Sequence, residues 1–419
     1  MKKSLRIATL AVAICMILGA WAVVYARTET EKSNAATETA VSVSGRTDTT
    51  TGLSTGTAIF QKADLFSDRD LQQIADLTNA VTYAVSDGED ISITAAGVYV
   101  LTGSAKNVTV TVEAGKDAKV QLVLDGLTIS NGDAPAIYVK SADKVFITTS
   151  ADSGLSVTGT FAADGDAKLD GVIFSKSDLT LNGTAALTVS STKNGIVGKD
   201  DVKITGGTYS ISAKKKAIEA NDSIRIADGT LDLIAGTDGL HAENDDDSSK
   251  GYVYIGGGAV TINANDDGIH AATVVQVDDG AIAVNAAEGI EGTYVQLNGG
   301  TVTVSAKDDG INAAQKSGSY RATVEINGGD ITISMGAGDT DGVDSNGDII
   351  VNGGVIRVTG SSTFDYDGTG QLNGGTVIVN GQQVTSLPNQ FGGMGGFGGW
   401  GGNGGFGGGW GGNGGRSGH

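Results

Sequence analysis

The feature that most constrains this chain is a glycine that returns at a nearly fixed interval. It closes turns such as VKITGGTYSISA, VYIGGGAVTINA, YVQLNGGTVTVSA and TVEINGGDITIS. Gly207, Gly229, Gly258, Gly280, Gly300, Gly329, Gly354 and Gly375 mark successive copies, separated by 22, 29, 22, 20, 29, 25 and 21 residues. A repeat of this length buries its apolar face only by stacking on its neighbours, which is the condition of a solenoid. Within each copy, apolar residues come in pairs two positions apart. Val202 and Ile204, Ile224 and Ile226, Val253 and Ile255, and Val295 and Leu297 precede the glycine. Tyr209 and Ile211, Leu231 and Leu233, Val260 and Ile262, and Val302 and Val304 follow it. Period two marks a strand with one buried face. A third apolar position follows further on, at Ile218, Leu240, Ile269 and Ile311. Three short strands per copy predict an all-β solenoid, a single-stranded parallel β-helix. Parallel crossovers favour the right hand. Glycine at each corner supplies backbone angles that a Cβ forbids. The Gly-Gly-x-Gly-x-Asp string of nonapeptide β-rolls does not recur, which sets that solenoid aside.

The flanks differ in kind. Lys2, Lys3 and Arg6 precede an apolar run from Ile7 to Val24, and Val24-Tyr25-Ala26 suits signal cleavage. Residues 1–26 are therefore expected to be a signal peptide or an N-terminal anchor, placing the protein outside the cell or on its surface. The single cysteine, Cys15, lies in that run, so a cleaved chain contains no disulfide. Residues 27–57, rich in Thr, Ser, Ala and Glu, read as a flexible linker. Residues 58–390 form the predicted β-helix, with a short capping helix expected around Leu71, Ile74, Ala75 and Leu77. The glycine-rich tail 391–419, with Trp400 and Trp410, has no apolar period and predicts no packed core.

The chemistry lies in the third strand of each copy. DGLHAE, DDGIHA, EGIEG, DDGINA and DGVD place an acid before a glycine at Asp238, Asp267, Glu288, Asp309 and Asp341. Two residues after that glycine stand His241, His270, Glu291, Asn312 and Asp344. Equivalent positions of a parallel β-helix stack at roughly 4.8 Å. Calcium binds carboxylate oxygens at about 2.3–2.6 Å, so one ion fits between two successive coils. The oxygen-rich set favours Ca²⁺ over zinc. The two histidines are read as bonded to neighbours or solvent. Lys214, Lys215 and Lys216 replace acids in one copy and are expected to neutralise the acidic face. Two long intervals hold the inserts NDDDSSK and QKSGSYR at the same point of the coil. A net charge of −20 excludes a phosphate-binding stripe, and with it a nucleic-acid partner.

Taken in order, ISITAAGVYVLTGS, AKVQLVLDGLTIS, AIYVKSADKVFIT, DGVIFSKSDLTLNGTAALTV, NGIVGKDDVKITGG, TDGLHAEN, KGYVYIGGGAVTI and DDGIHA resemble the carbohydrate-binding β-helix family of exported, polysaccharide-lyase-like proteins. The resemblance implies a right-handed β-helix, bound calcium, and affinity for cellulose and acidic pectin-type polymers. It implies calcium ligands among Asp238, Asp266, Asp267, Glu291, Asp308 and Asp309. The copy KKKAIEAND departs from the family's Asp-Asp-Gly-Ile pattern. The leading expectation is a non-catalytic polysaccharide binder with no nucleic-acid partner. A calcium-dependent pectate-lyase-like enzyme is the rival, with one of Lys214, Lys215 or Lys216 as base. A structural cell-surface adhesin is the third reading.

Overall fold

One copy of the repeat shows how the chain is built. Strands Asp201–Ile204, Thr208–Ala213 and Ile218–Ala220 follow one another, and the next strand, Ser223–Ile226, returns to pair in parallel with the first. The register sets Val202 against Ile224, Tyr209 against Leu231 and Ile218 against Leu240. The computed structural model describes residues 56–389, apart from position 166 and positions 337–339. The N-terminal apolar run, nearly all of the linker and the glycine-rich tail lie outside the described residues. Within them the protein is all-β, and its one α-helix is the four-residue Lys62–Leu65. No helix among the described residues is long and apolar enough to cross a membrane.

Repeating this copy stacks three parallel ladders. The first runs from Val81–Ala84 to Gly370–Leu372. The second runs alongside it and ends at Thr376–Val379, where an antiparallel strand, Gln382–Val384, closes a hairpin. The third contains twelve strands, from Ile91–Ile93 to Ser362–Tyr366. The apolar pairs read from the sequence all point inward into one core, including Val202, Ile204, Ile218, Leu240, Ile269 and Ile311. Burying each such side chain contributes about 1.5–3 kcal/mol.

Two kinds of glycine let the coils turn and pack closely. The eight corner glycines all have positive φ, from 78° at Gly375 to 128° at Gly229. The glycines of the Asp-Gly pairs are needed for space instead. A methyl group at Gly268 would lie 2.5 Å from the carbonyl oxygen of Gly289 and closer still to the Val284 side chain. Coils packed this closely cannot spread at one point only. Gly268→Ala is therefore expected to destabilise the fold by about 2–3 kcal/mol, read as a lower urea midpoint at unchanged slope. The corners also carry an amide ladder. Asn373 donates to Asn352, Asn352 to Asn327, Asn327 to Asn298, and Asn298 to the Asp278 carboxylate, at 2.7–2.9 Å.

The expected helix around Leu71, Ile74 and Leu77 does not form, and all three side chains are exposed. So short a segment nucleates a helix poorly, and its polar groups find better partners on the first ladder. Residues 56–73 instead form a strap along the outer face of the first ladder. That face presents the row Thr180, Lys203, Arg225, Tyr254, Gln276, Gln296 and Glu325. The backbone N–H of Gly56 donates to Glu325, that of Ile59 to Gln296, and that of Phe60 to Gln276. Phe60 stacks on Tyr252 at 4.4 Å. Lys62 donates to the carbonyl oxygens of Ala227 and Gly256. Buried Asp70 meets Lys144 at 3.2 Å and Lys203 at 3.4 Å.

Candidate cation and carbohydrate site

The third ladder brings the predicted polar residues together in two rows. Its register stacks Glu219, His241, His270, Glu291, Asn312, Asp344 and Asp365 in one line. The acid-before-glycine residues form the second row, with Asp267 paired to Glu288. The backbone N–H of Asp341 donates to Asp309 across the coils. Asp266 and Asp308 lie one position further out and are exposed. Glu219 and Asp365 extend the stack beyond its predicted ends. Both were hidden because their copies, KKKAIE and STFDYD, lack the Asp-Gly string.

The middle of the ladder is neutralised from within. His270 Nδ1 lies 2.8 Å from both Asp267 and Glu291, and Lys316 reaches Glu291 at 2.9 Å. Burial opposes charge on His270, yet the bonds to Asp267 and Glu291 outweigh it and push its pKa up to about 9. Lys316 comes from the second insert, where no repeat position marks it. Ser317 of that insert donates to the carbonyl of Ser248 in the first insert, so the two inserts touch as their shared position suggests. His241 and His270 are buried rather than solvated, and their rings stack at 4.5 Å.

The C-terminal end of the ladder carries acids with little to balance them. Oxygens of Asp341, Asp344 and Asp365 lie within 4.8 Å of one another. Ser362 donates to Asp341, while one buried oxygen of Asp365 has no partner. Burial and then the neighbouring Asp309 and Asp341 push the Asp344 carboxyl up to about 7. Burial and Glu291 raise Glu288 to about 7, and burial with Asp308 and Asp341 raises Asp309 to about 6 against a backbone hydrogen bond from Asp341. A second cluster, Asp200, Asp201 and Asp222, lies at the corner between third-ladder and first-ladder strands and is bonded to Arg225, Asn244 and Lys250.

The three lysines fall apart. Lys214 and Lys215 are exposed, whereas Lys216 lies on the acid row and approaches Glu219 at 3.8 Å.

Residues 87–339 match the model of a family described as carbohydrate-binding domain-containing protein. The chain belongs to that family. The matched stretch of the carbohydrate-binding domain includes the ladder from Glu219 to Asn312 and both inserts, and it stops just before Asp341. A carbohydrate-binding domain-containing protein of Acetivibrio thermocellus is 35% identical over 133 residues, 30% of this chain. The chain spans about half the length of that relative, 46%. A solved structure described as the polysaccharide lyase-like protein from C. thermocellum, a gadolinium derivative, is 30% identical. It covers 52% of this chain and 92% of its own, with a TM-score of 0.46.

Proposed function

We propose that this carbohydrate-binding domain is an exported right-handed parallel β-helix that holds acidic, uronate-type polysaccharide through calcium on its third ladder. The observation that carries the reading is the set Asp341, Asp344 and Asp365, with Asp344 stacked on Asp365, Asp341 beside them, and an orphaned buried oxygen on Asp365. Their spacing of up to 4.8 Å is close to twice a calcium–oxygen bond of about 2.3–2.6 Å. The donors are all oxygen, as calcium requires, and each ion would also remove like-charge repulsion between coils. Such an ion supplies positive charge and open coordination positions, and the ladder residues fix where it sits. A polymer bearing one carboxylate per sugar suits a face that repeats at every coil. Flat crystalline cellulose suits it less, because no tryptophan occurs among the described residues to offer a planar platform. Lys216 approaches Glu219 and Lys214 and Lys215 are exposed, and among the described residues none of the three sits as a base beside the Asp341, Asp344 and Asp365 cluster, which favours binding over cleavage.

The test is sedimentation or pull-down on polygalacturonate and on cellulose, in calcium and in chelator. The domain is expected to bind polygalacturonate in calcium and to lose about tenfold or more of its affinity in chelator, a change of about 1.4 kcal/mol. Absorbance from an unsaturated product is expected to stay flat. Failure to bind either polymer in calcium sinks the reading, and rising absorbance converts it to the lyase.

A further inference from the structure

His241 and His270 occupy consecutive coils and are built alike. Each places Nδ1 2.8 Å from the acid three residues earlier, His270 in a hydrogen bond with Asp267 and His241 beside Asp238 without hydrogen-bond geometry. When a metal ion takes Nε2 and displaces its proton, a carboxylate beside Nδ1 keeps the other proton there, the usual second shell of a metal-bound histidine. The two rings are nearly parallel, 12° apart, and stack at 4.5 Å. His241 Nε2 stands 3.2 Å from the Glu243 carboxylate. Two donors at about 2.0–2.2 Å from one tetrahedral zinc are separated by roughly 3.3–3.6 Å, close to that distance. His270 is 8% exposed, yet its buried Nε2 has no hydrogen-bond partner. A polar atom left so is a cost that the fold bears unless something meets it.

We infer that His241, His270 and Glu243 form a binding site for a divalent transition ion of the zinc class, distinct from the calcium end of the ladder. Ligand atoms of the three lie within 4.8 Å of one another. Two imidazoles and one carboxylate select zinc over calcium, whose ligands are all oxygen. Glu219, next on the stack, is bonded to Lys199 and Asn194 and is not free to join. With three protein ligands the site keeps one position open. It faces a hollow of about 290 Å³, lined among others by Lys199, Lys216, Asn221 and Asn244, where water or a sugar oxygen is the natural fourth ligand.

The experiment is titration of the full chain with Zn²⁺ by calorimetry, repeated with Co²⁺ to read its visible absorption. We expect one site per chain with mixed nitrogen and oxygen ligation, undisturbed by excess calcium. His241→Gln and His270→Gln are each expected to weaken binding by tenfold or more. Glu243→Gln alters only an exposed side chain, so it tests the site without endangering the fold, and it should weaken binding measurably. Zinc binding that is unchanged in all three variants, absent in the wild type, or displaced by calcium overturns the inference.

Discussion

Replacing Asp70 by alanine is expected to destabilise the protein by about 3–5 kcal/mol, the loss found when one partner of a buried ion pair is removed. Asp70 is 1% exposed and faces Lys203, itself buried, and Lys144. The Ser67 backbone N–H and hydroxyl donate to the same carboxylate, and the Thr180 hydroxyl donates to its other oxygen. Alanine would strand the Lys203 ammonium under the strap, leave Lys144 with Asp178 at 3.7 Å, and free three donors. Asp68, two residues earlier and exposed, is the control, with an expected change within about 0.5 kcal/mol. Urea denaturation of Asp70→Ala and Asp68→Ala decides. Equal midpoints would mean that the strap is a passive cover.

The same residue predicts a pH dependence of definite sign. Burial alone would raise the Asp70 carboxyl, but the Ser67 backbone bond, Lys203, the Ser67 hydroxyl and Lys144 outweigh it and hold it well below the usual range. Its folded value lies below the unfolded one of about 3.9. The stability it contributes is therefore complete above that value and is lost as pH falls below it. The gap between wild type and Asp70→Asn should be constant near neutrality and shrink below about pH 4.

The strap was illegible in the sequence for a physical reason. Its bonds join residues far apart, as with Gly56 and Glu325, which are 269 positions apart. Backbone groups of the strap carry no side-chain signature, and Gln276, Gln296 and Glu325 look like ordinary outward polar residues of a strand. The parallel strand ladders were legible because their signals are local and repeated. The corner glycines needed positive φ at every copy, and the inward apolar pairs had to alternate. The stack from His241 to Asp344 followed from the same period. Counting one more interval beyond Asp344 would have reached Asp365, and stepping back one copy from His241 would have reached Glu219. Lys316 had no such guide, since an insert interrupts the count.

The ladder's division into a balanced middle and an unbalanced end gives the second large effect, which rests on the proposed calcium. Chelation is expected to lower the melting temperature by several degrees, because a ligand held only by the native state stabilises it by about 2.7 kcal/mol at one hundred times its dissociation constant. The variants should separate the two parts of the ladder. Asp344→Asn with Asp365→Asn removes charge at the end where three acids crowd, and should abolish most of the calcium dependence. Asp267→Asn acts where His270 and Lys316 already supply positive charge, and should leave that dependence largely intact. Asparagine keeps the side-chain volume, so packing is not the variable. The pH profile adds a sign. Glu288, Asp309 and Asp344 are raised to about 7, 6 and 7, chiefly by burial and then by neighbouring acids. Groups raised on folding contribute stability below their unfolded values of about 4, and that contribution is lost as pH rises through 6 to 7. In chelator the melting temperature should fall from pH 5 to pH 8, and calcium should flatten the fall by taking the place of the protons. A wild type that melts alike in chelator and in millimolar calcium at pH 8 would leave these carboxylates as a solvated face and remove the physical basis for a calcium bridge to the polymer.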